Sequence, residues 1–415
     1  MHRFRSDFLA ELDRRGYIHQ VSEPEALDEL LARERVTAYI GFDCTADSLH
    51  VGHLVSIMML RILERTGHRP IALVGGGTTK VGDPSGRDES RQLLGDEQIE
   101  RNKAGIRRCL SRFLDFDKGS VLLLDNAEWL DELRYIPFLR EVGTHFTVNR
   151  MLSFDSVRLR LEREQPLTFL EFNYMIMQAY DFLELSRRYD CRLQMGGSDQ
   201  WGNIVNGIEL ARRIDGRQLF ALTTPLITTA SGQKMGKTAA GAVWLDPNRL
   251  PPFDYYQFWR NTEDGDVGRF LRLFTELPLA EIERLERLRG AELNEAKKIL
   301  AFEATRLAHG VEEAEKAAAA ARALFEQGSA PREGLPVVEL DRDRLAEGLP
   351  VIELFQLAGL VPSNSEARRL VRARGARINN RLVEDETMTV DLSALEDGAL
   401  ELSAGKKRHV LVRPV

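Results

Sequence analysis

The chain has 415 residues, 43% apolar and 29% charged, with a formal net charge of −7. That is the make-up of an ordinary globular protein of about two or three domains. The longest apolar runs fall far short of a membrane span, and the acidic balance argues against a surface coated by nucleic acid, though not against a local basic patch.

Three cysteines (Cys44, Cys109 and Cys191), too far apart in sequence for a zinc knuckle, fit a reducing compartment. The first residues, MHRFRSDFLAELDRRG, mix arginines with Asp7, Glu11 and Asp13 and hold no apolar leader core, so a mature cytoplasmic protein is expected.

The stretch from Tyr39 to His53 reads YIGFDCTADSLHVGH. Residues 39–42 predict a short buried strand. Residues 54–67 predict a helix, with apolar Leu54, Ile57, Met58 and Ile62 and a stop at Gly67. Between them stand Thr45, His50, Gly52 and His53. A helix N-terminus offers backbone N–H groups and partial positive charge to phosphate, and the glycine between two histidines lets a nucleotide approach the backbone. H-x-G-H after a strand and before a helix thus points to ATP chemistry on an open α/β sheet. Two histidines in four residues also fit surface residues or half of a metal site.

Residues 71–74 predict a second strand, followed by Gly75-Gly76-Gly77 and by Gly82-Asp83-Pro84-Ser85-Gly86. Strand, helix, strand is a βαβ unit, which brings both glycine-bearing loops to one edge of a parallel sheet. Neither loop has the spacing of a dinucleotide fingerprint or a P-loop. Asp83 suits a ligand's ammonium group. Residues 88–165 read as a mainly helical insertion between two halves of the sheet, with one strand at 121–124.

Residues 171–189 predict an amphipathic helix. On it Tyr174, Gln178 and Asp181, spaced by four and three, share one face. They suit a polar small-molecule pocket or interior hydrogen bonds. A strand at 193–195 ends in GGSDQWGN, either a ribose-binding ending or an ordinary turn. The stretch SGQKMGKT at 231–238 is not a P-loop, because Gly232 stands one residue too close to Gly236. Its lysines suit a triphosphate clamp or a solvated surface loop.

Pro251-Pro252 marks a boundary. Residues 251–326 read as a helical domain ending in an alanine-rich segment of high helix propensity, and residues 327–350, with GSAP and two copies of EGLP, as a linker. Residues 351–415 read as a small domain. Helices are expected over 351–359 and 365–373, the second capped by Ser363 or Asn364, with a hairpin turning at Asn379-Asn380. Six arginines fall within fourteen residues (Arg368, Arg369, Arg372, Arg374, Arg377 and Arg381), joined later by Lys406, Lys407 and Arg408. In an acidic chain this favours phosphate-backbone binding over a solvated face.

Taken together these stretches closely resemble the bacterial-type tyrosyl-tRNA synthetases, a family of class I aminoacyl-tRNA synthetases. HVGH at 50–53 is similar to the HIGH signature and KMGKT at 234–238 to the KMSKS signature. GFDCTADSLHVGH, VGDPSG, MQAYDF and GGSDQWGN occur in family order, and the C-terminal piece resembles an RNA-binding fold shared with a small-subunit ribosomal protein. The resemblance covers nearly the whole chain.

It implies an α/β fold: a Rossmann-like parallel-sheet catalytic domain at 1–228, a signature loop and connection at 229–250, a helical tRNA-binding domain, and a small α+β RNA-binding domain. It also implies activation of L-tyrosine with ATP and Mg²⁺, without a protein-bound metal. Transfer to the 3′-terminal adenosine of tRNA(Tyr) by a homodimer, away from membranes, would follow.

Residue by residue, the resemblance implies that Tyr39 and Asp181 hold the phenolic hydroxyl. Asp83, Tyr174 and Gln178 would hold the ammonium group, and Gln200 the carboxylate region. Thr45, His50 and His53 would line the ATP phosphates, with Gly41, Asp43 and Gly52 about the nucleotide and Asp199 on its ribose. Lys234, Lys237 and Thr238 would close over the pyrophosphate, and Arg87 would be a further catalytic residue at a position that is often lysine. Arg212 and Arg213 would meet the tRNA acceptor stem, and Arg368, Arg369, Arg372, Arg374, Lys406, Lys407 and Arg408 other tRNA phosphates.

The sequence departs from the commonest family pattern at Ile40, Cys44, Thr79, Lys80 and Arg87, which bears on ATP affinity rather than on the reaction. Rivals are an H-x-G-H nucleotidyltransferase acting on another small molecule, a non-catalytic RNA-binding protein, and a tryptophan-specific relative. The first two need no such combination of motifs, and a tyrosine–aspartate pair suits a phenol better than an indole.

Overall fold

A six-stranded sheet is built from β1 (Gln20–Val21), β2 (Thr37–Asp43), β3 (Arg69–Gly75), β4 (Leu122–Asp125), β5 (Cys191–Gly197) and β6 (Phe220–Thr224), with β2, β3, β5 and β6 largely buried on both faces. The computed structural model describes residues 4–85, 93–232, 235–238, 241–326, 335–405 and 408–415, with the backbone alone at 155, 156, 237, 238 and 324–326. The strand order is β1-β6-β5-β2-β3-β4, parallel throughout except for the short β1, which runs antiparallel to β6. The chain leaves β2 for β3 on one side and returns at β5 on the other. That reversal is a topological switch point, and a crevice opens there beyond the C-terminal strand ends.

A single 3₁₀ turn, Val51–His53, precedes helix α1 (Leu54–Arg65). Gly67, at φ 87°, ends the helix as the sequence predicts. Burial is wider than the expected stripe, since Val55, Met59, Leu60 and Leu63 are covered too. Helices α2 (Asp96–Leu110), α3 (Tyr174–Tyr189) and α4 (Trp201–Asp215) complete the frame. Gly207 lets α4 close on α3, where a Cβ would lie 3.0 Å from the Phe182 ring.

The expected insertion needs correction. β4 pairs in register with β3, Ile71 with Leu122 through Val74 with Asp125. Residues 93–121 are therefore part of a crossover within the sheet, and the helical insertion begins after Asp125. The apolar Leu122-Leu123-Leu124 run is what the sheet claims.

The chain divides into two compact units, Met1–Asp246 with Glu263–Arg287, and Pro247–Thr262 with Leu288–Val415. The predicted helical domain at 251–326 is thus interrupted. Residues 263–287 fold with the first unit, where Arg15 donates to the carbonyls of Thr275 (3.0 Å) and Leu277 (2.8 Å) and Arg61 pairs with Glu276 at 2.7 Å. In the second unit, α5 (Pro252–Arg260), α6 (Leu293–His309) and α7 (Val311–Glu326) pack on one another.

The predicted linker is also corrected. Val337–Leu340 runs parallel to Arg408–Pro414 in a five-stranded sheet, and Leu349–Pro350 pairs with Thr389–Val390. The small domain therefore begins near 335, because Val337, Val338 and Leu340 are strand residues with a long-range partner. Its own core gathers Leu345, Leu354, Phe355, Leu400 and Leu402. Helix α8 (Val351–Leu357) precedes α9 (Asn364–Arg372), which is capped by Ser363, its Oγ accepting from Glu366 N–H at 3.3 Å. Asn379 (φ 48°) and Asn380 (φ 63°) form the hairpin turn between Ala376–Ile378 and Arg381–Leu382.

Candidate active site

A cavity of about 980 Å³ opens where the switch point predicts. It is lined by Tyr39, Gly41, Asp43, Thr45, His50, Gly52, His53, Asp83, Tyr174, Gln178, Asp181, Asp199 and Gln200. One crevice thus gathers residues from β2, β5, α3 and the loops beside them.

Its floor is dry. Tyr39 is 1% exposed, and its hydroxyl has no hydrogen-bond partner among the described residues. Asp181, 3% exposed, accepts from Asn126 Nδ2 at 2.9 Å and Trp129 Nε1 at 2.7 Å. Burial pushes the Asp181 carboxyl up to about 7, against the pull of those two donors. Burial, with Asp181 nearby, also raises the Tyr39 phenol well above its ordinary value, so it stays a neutral O–H. A neutral hydroxyl and a hydrogen-bonded carboxylate on one apolar floor are partners for a ligand that both donates and accepts.

Further up, Asp83 Oδ2 accepts from Gln200 Nε2 at 3.0 Å, and Gln178 Oε1 accepts from Asn203 Nδ2 at 3.0 Å. Tyr174 OH donates to Asp43 Oδ2 at 2.9 Å, while Thr78 Oγ1 donates to Asp43 Oδ1 at 2.7 Å. Carboxylates therefore crowd the middle of the cavity, a setting for an ammonium group.

Among the described lining residues, the opposite end offers imidazoles rather than Lys or Arg side chains. His50 Nδ1 accepts from Gly52 N–H at 3.0 Å, which leaves its Nε2 as the donor. One of the helix-start N–H groups expected to be free is thereby used by His50. The His53 ring centroid lies 4.1 Å from that of His50. Burial and the neighbouring His50 push His53 down to about 3, so it works as a neutral donor or acceptor.

Gly52 and Gly236 meet here. A Cβ on Gly52 would lie 2.7 Å from His50 Cε1 and 3.3 Å from the Met235 carbonyl oxygen. Gly236, at φ +91°, places its own missing Cβ 2.9 Å from Gly52 N. The chain beyond holds this arrangement, Val51 N–H donating to Val243 O and Leu245 N–H to Leu49 O, both at 2.9 Å. We expect Gly52→Ala to raise KM for ATP by about tenfold or more, with KM for the amino acid little changed, because the His50 ring must move. Pyrophosphate exchange at varied ATP checks this.

Not every predicted residue joins the cavity. Arg212 and Arg213 sit on the last turn of α4, where Arg212 pairs with Glu209 at 3.0 Å and Arg213 donates to His145 O at 2.9 Å. Lys237 and Thr238 form a two-residue strand against Gly241–Ala242. Arg87, Lys234, Lys406 and Lys407 lie outside the described residues. The basic cluster of the small domain is weaker than its count suggests. Arg368, Arg369 and Arg408 are exposed, but Arg372 pairs with Glu386 (2.9 Å) and Arg374 with Glu384 (2.7 Å).

Sequence reasoning missed Asn126, Trp129 and Thr78. Asn126 directly follows β4, and a polar residue ending a parallel strand is a readable signal. Trp129 looks like any core aromatic and gives none. Among the described residues, no group of three or more His, Cys, Asp or Glu side chains gathers to hold a metal ion, and no helix is long and apolar enough to cross a membrane.

With this geometry in view, residues 31–326 match the family described as tRNA synthetases class I (W and Y). The chain belongs to that family of class I tRNA synthetases. It is 63% identical over 411 residues to the tyrosine–tRNA ligase of Rhodospirillum rubrum, covering 99% of this chain and 98% of the relative. It is 63% identical over 413 residues to that of Xanthobacter autotrophicus, covering 99% of each. Among solved structures, a C-terminally truncated mitochondrial tyrosyl-tRNA synthetase from Aspergillus nidulans superposes with a TM-score of 0.70 at 32% identity. That match covers 77% of this chain and 95% of the other.

Proposed function

We propose that the cavity seats L-tyrosine with its hydroxyl between Tyr39 and Asp181 and its ammonium group near Asp83, Tyr174 and Gln178, beside an ATP whose phosphates lie along Thr45, His50 and His53. Membership of the family makes the chain an ATP-dependent ligase for tRNA, and the relatives at about 60% identity carry the tyrosine name. The observation that carries the amino-acid choice is the Tyr39 hydroxyl, buried beside a carboxylate without a partner among the described residues. An indole offers no hydroxyl to meet it, which disfavours the tryptophan branch of the same family.

Chemically, the tyrosine carboxylate is ionised at neutral pH and attacks the α-phosphorus of ATP without a general base. The site then has to align the pair and place donors where charge grows on the departing pyrophosphate. The His50 Nε2–H and the neutral His53 are such donors, with Lys234, Lys237, Thr238 and Arg87 completing the set. Gln200 orients the carboxylate, Asp199 takes the ribose, and Gly41, Asp43 and Gly52 admit the nucleotide closely. Mg²⁺ enters with the phosphates of ATP. The terminal ribose hydroxyl of tRNA(Tyr) then attacks the adenylate carbonyl, releasing AMP.

Arg212, Arg213 and the exposed arginines of the small domain supply tRNA phosphate contacts. A cytoplasmic setting agrees with three buried free cysteines. A homodimer agrees with the apolar residues that the insertion leaves uncovered, Tyr135, Ile136, Val148 and Phe169, each more than 60% exposed.

The deciding experiment is pyrophosphate exchange with each of the twenty amino acids, where absence of tyrosine-dependent exchange ends the proposal. The titration of Asp181 adds a pH test. Its folded pKa is raised to about 7, so the proton is bound below that value. A protonated carboxyl accepts the phenol more weakly than a carboxylate. KM for tyrosine is therefore expected to rise as pH falls through about 7, and to lose this dependence in Asp181→Asn. By the same sign, the unliganded protein loses stability as pH climbs from about 4 to 7, and the Asn variant does not share that part of the loss.

A further inference from the structure

The ladder between β2 and β3 ends at the pair Asp43 and Gly75. Beyond it the two chains are tied by a side chain. Thr79 Oγ1 accepts from Cys44 N–H at 2.7 Å and donates to Gly75 O at 2.5 Å. One hydroxyl thus extends the pairing past the last rung. Thr79 is 5% exposed and Cys44 fully buried, so the Cys44 N–H depends on a protein acceptor.

The other polar group of Cys44 is held from the far side. Asn102 on α2, 2% exposed, donates from Nδ2 to Cys44 O at 2.7 Å, and its Oδ1 is fixed by Gln98 Nε2 at 2.8 Å. Less than one turn along α2, Gly105 abuts the same loop, where a Cβ would lie 1.8 Å from the Asp47 carbonyl oxygen. The carbonyl that Asn102 grips belongs to the peptide joining Cys44 to Thr45.

We infer that Thr79 and Asn102 are positioning residues for ATP: they clamp the two backbone polar groups of Cys44 and so aim Thr45 into the phosphate end of the cavity. This rests on reading Thr45 as a phosphate contact. Thr79 acts through Cys44, since its hydroxyl already donates and accepts within the protein, and Asn102 is likewise engaged at both ends. α2 and the loop after β3 therefore carry part of the nucleotide geometry, although neither residue belongs to a signature stretch.

The test uses the full-length protein in tyrosine-dependent pyrophosphate exchange, with ATP and tyrosine varied separately and melting temperature measured alongside. Thr79→Val keeps the shape but removes the acceptor, and Asn102→Leu removes the donor. Each is expected to raise KM for ATP about tenfold, by leaving a buried peptide group unpaired, and to leave KM for tyrosine within about twofold. Thr79→Ser, which restores the hydroxyl, should return KM for ATP to near the parent value. Parallel rises in both KM values, no change in either, or failure of serine to rescue would overturn the inference and leave only a structural role. Absence of tyrosine-dependent exchange in the parent protein would instead defeat the reading of the cavity, and this inference with it.

Discussion

Asp181→Ala is expected to lower kcat/KM for tyrosine on the order of 100-fold while KM for ATP stays within about twofold, since a hydrogen bond to a charged group is lost at one end of the cavity only. The floor of the cavity is where that loss falls. Asp181 is buried, and the Tyr39 hydroxyl beside it has no hydrogen-bond partner among the described residues. Removing the carboxylate also strands Asn126 Nδ2 and Trp129 Nε1, which donate to it at 2.9 and 2.7 Å. Some stability should therefore be lost along with discrimination. Preference for tyrosine over phenylalanine should shrink, because the variant no longer distinguishes a ring with a hydroxyl from one without. Exchange assays with both amino acids give the answer, and a defect seen only on the ATP side would refute the assignment of Asp181.

The second large effect concerns the tail. Removing residues 327–415 should leave tyrosine activation within about twofold, yet depress tRNA charging by about tenfold or more at physiological salt, as loss of several phosphate contacts requires. The small domain has its own core, so the cavity does not need it for packing. Where the cut falls matters. Truncation at 351, the boundary suggested by sequence, would keep Val337–Leu340 but delete Arg408–Pro414, its strand partner. That leaves an apolar edge strand unpaired, and the shorter deletion should aggregate where the longer one does not. Comparing exchange, charging and solubility of the two truncations tests both points. Equal loss of activation and charging in the longer deletion would mean that the tail has another task.

Much of the catalytic core is legible in the sequence because its information is local. The H-x-G-H turn, the glycine ending α1 and the helical spacing of Tyr174, Gln178 and Asp181 each follow from a few neighbouring residues. What escapes is pairing at long range. Leu122–Asp125 reads correctly as strand-forming, but nothing local reveals that it joins β3. Val337–Leu340 looks like linker because prolines and glycines surround it, and its partner lies at the far end of the domain. Asn126 and Trp129 act on a residue more than fifty positions away. The arginine-rich stretch reads as strongly basic until Glu384 and Glu386 fold back onto Arg374 and Arg372, ten and fourteen residues upstream of them.

The small domain closes by laying its first strand against its last, Val337 beside Leu411 and Leu340 beside Pro414. During synthesis that match cannot form until Arg408–Pro414 has left the ribosome, whereas the Rossmann-like sheet is completed once β6 has emerged. Birth order therefore favours a catalytic body that matures first, with the small domain sealing only once Arg408–Pro414 is free. Nonsense codons or bulky insertions within residues 408–414 should harm the small domain far more than their distance in sequence from the catalytic crevice suggests.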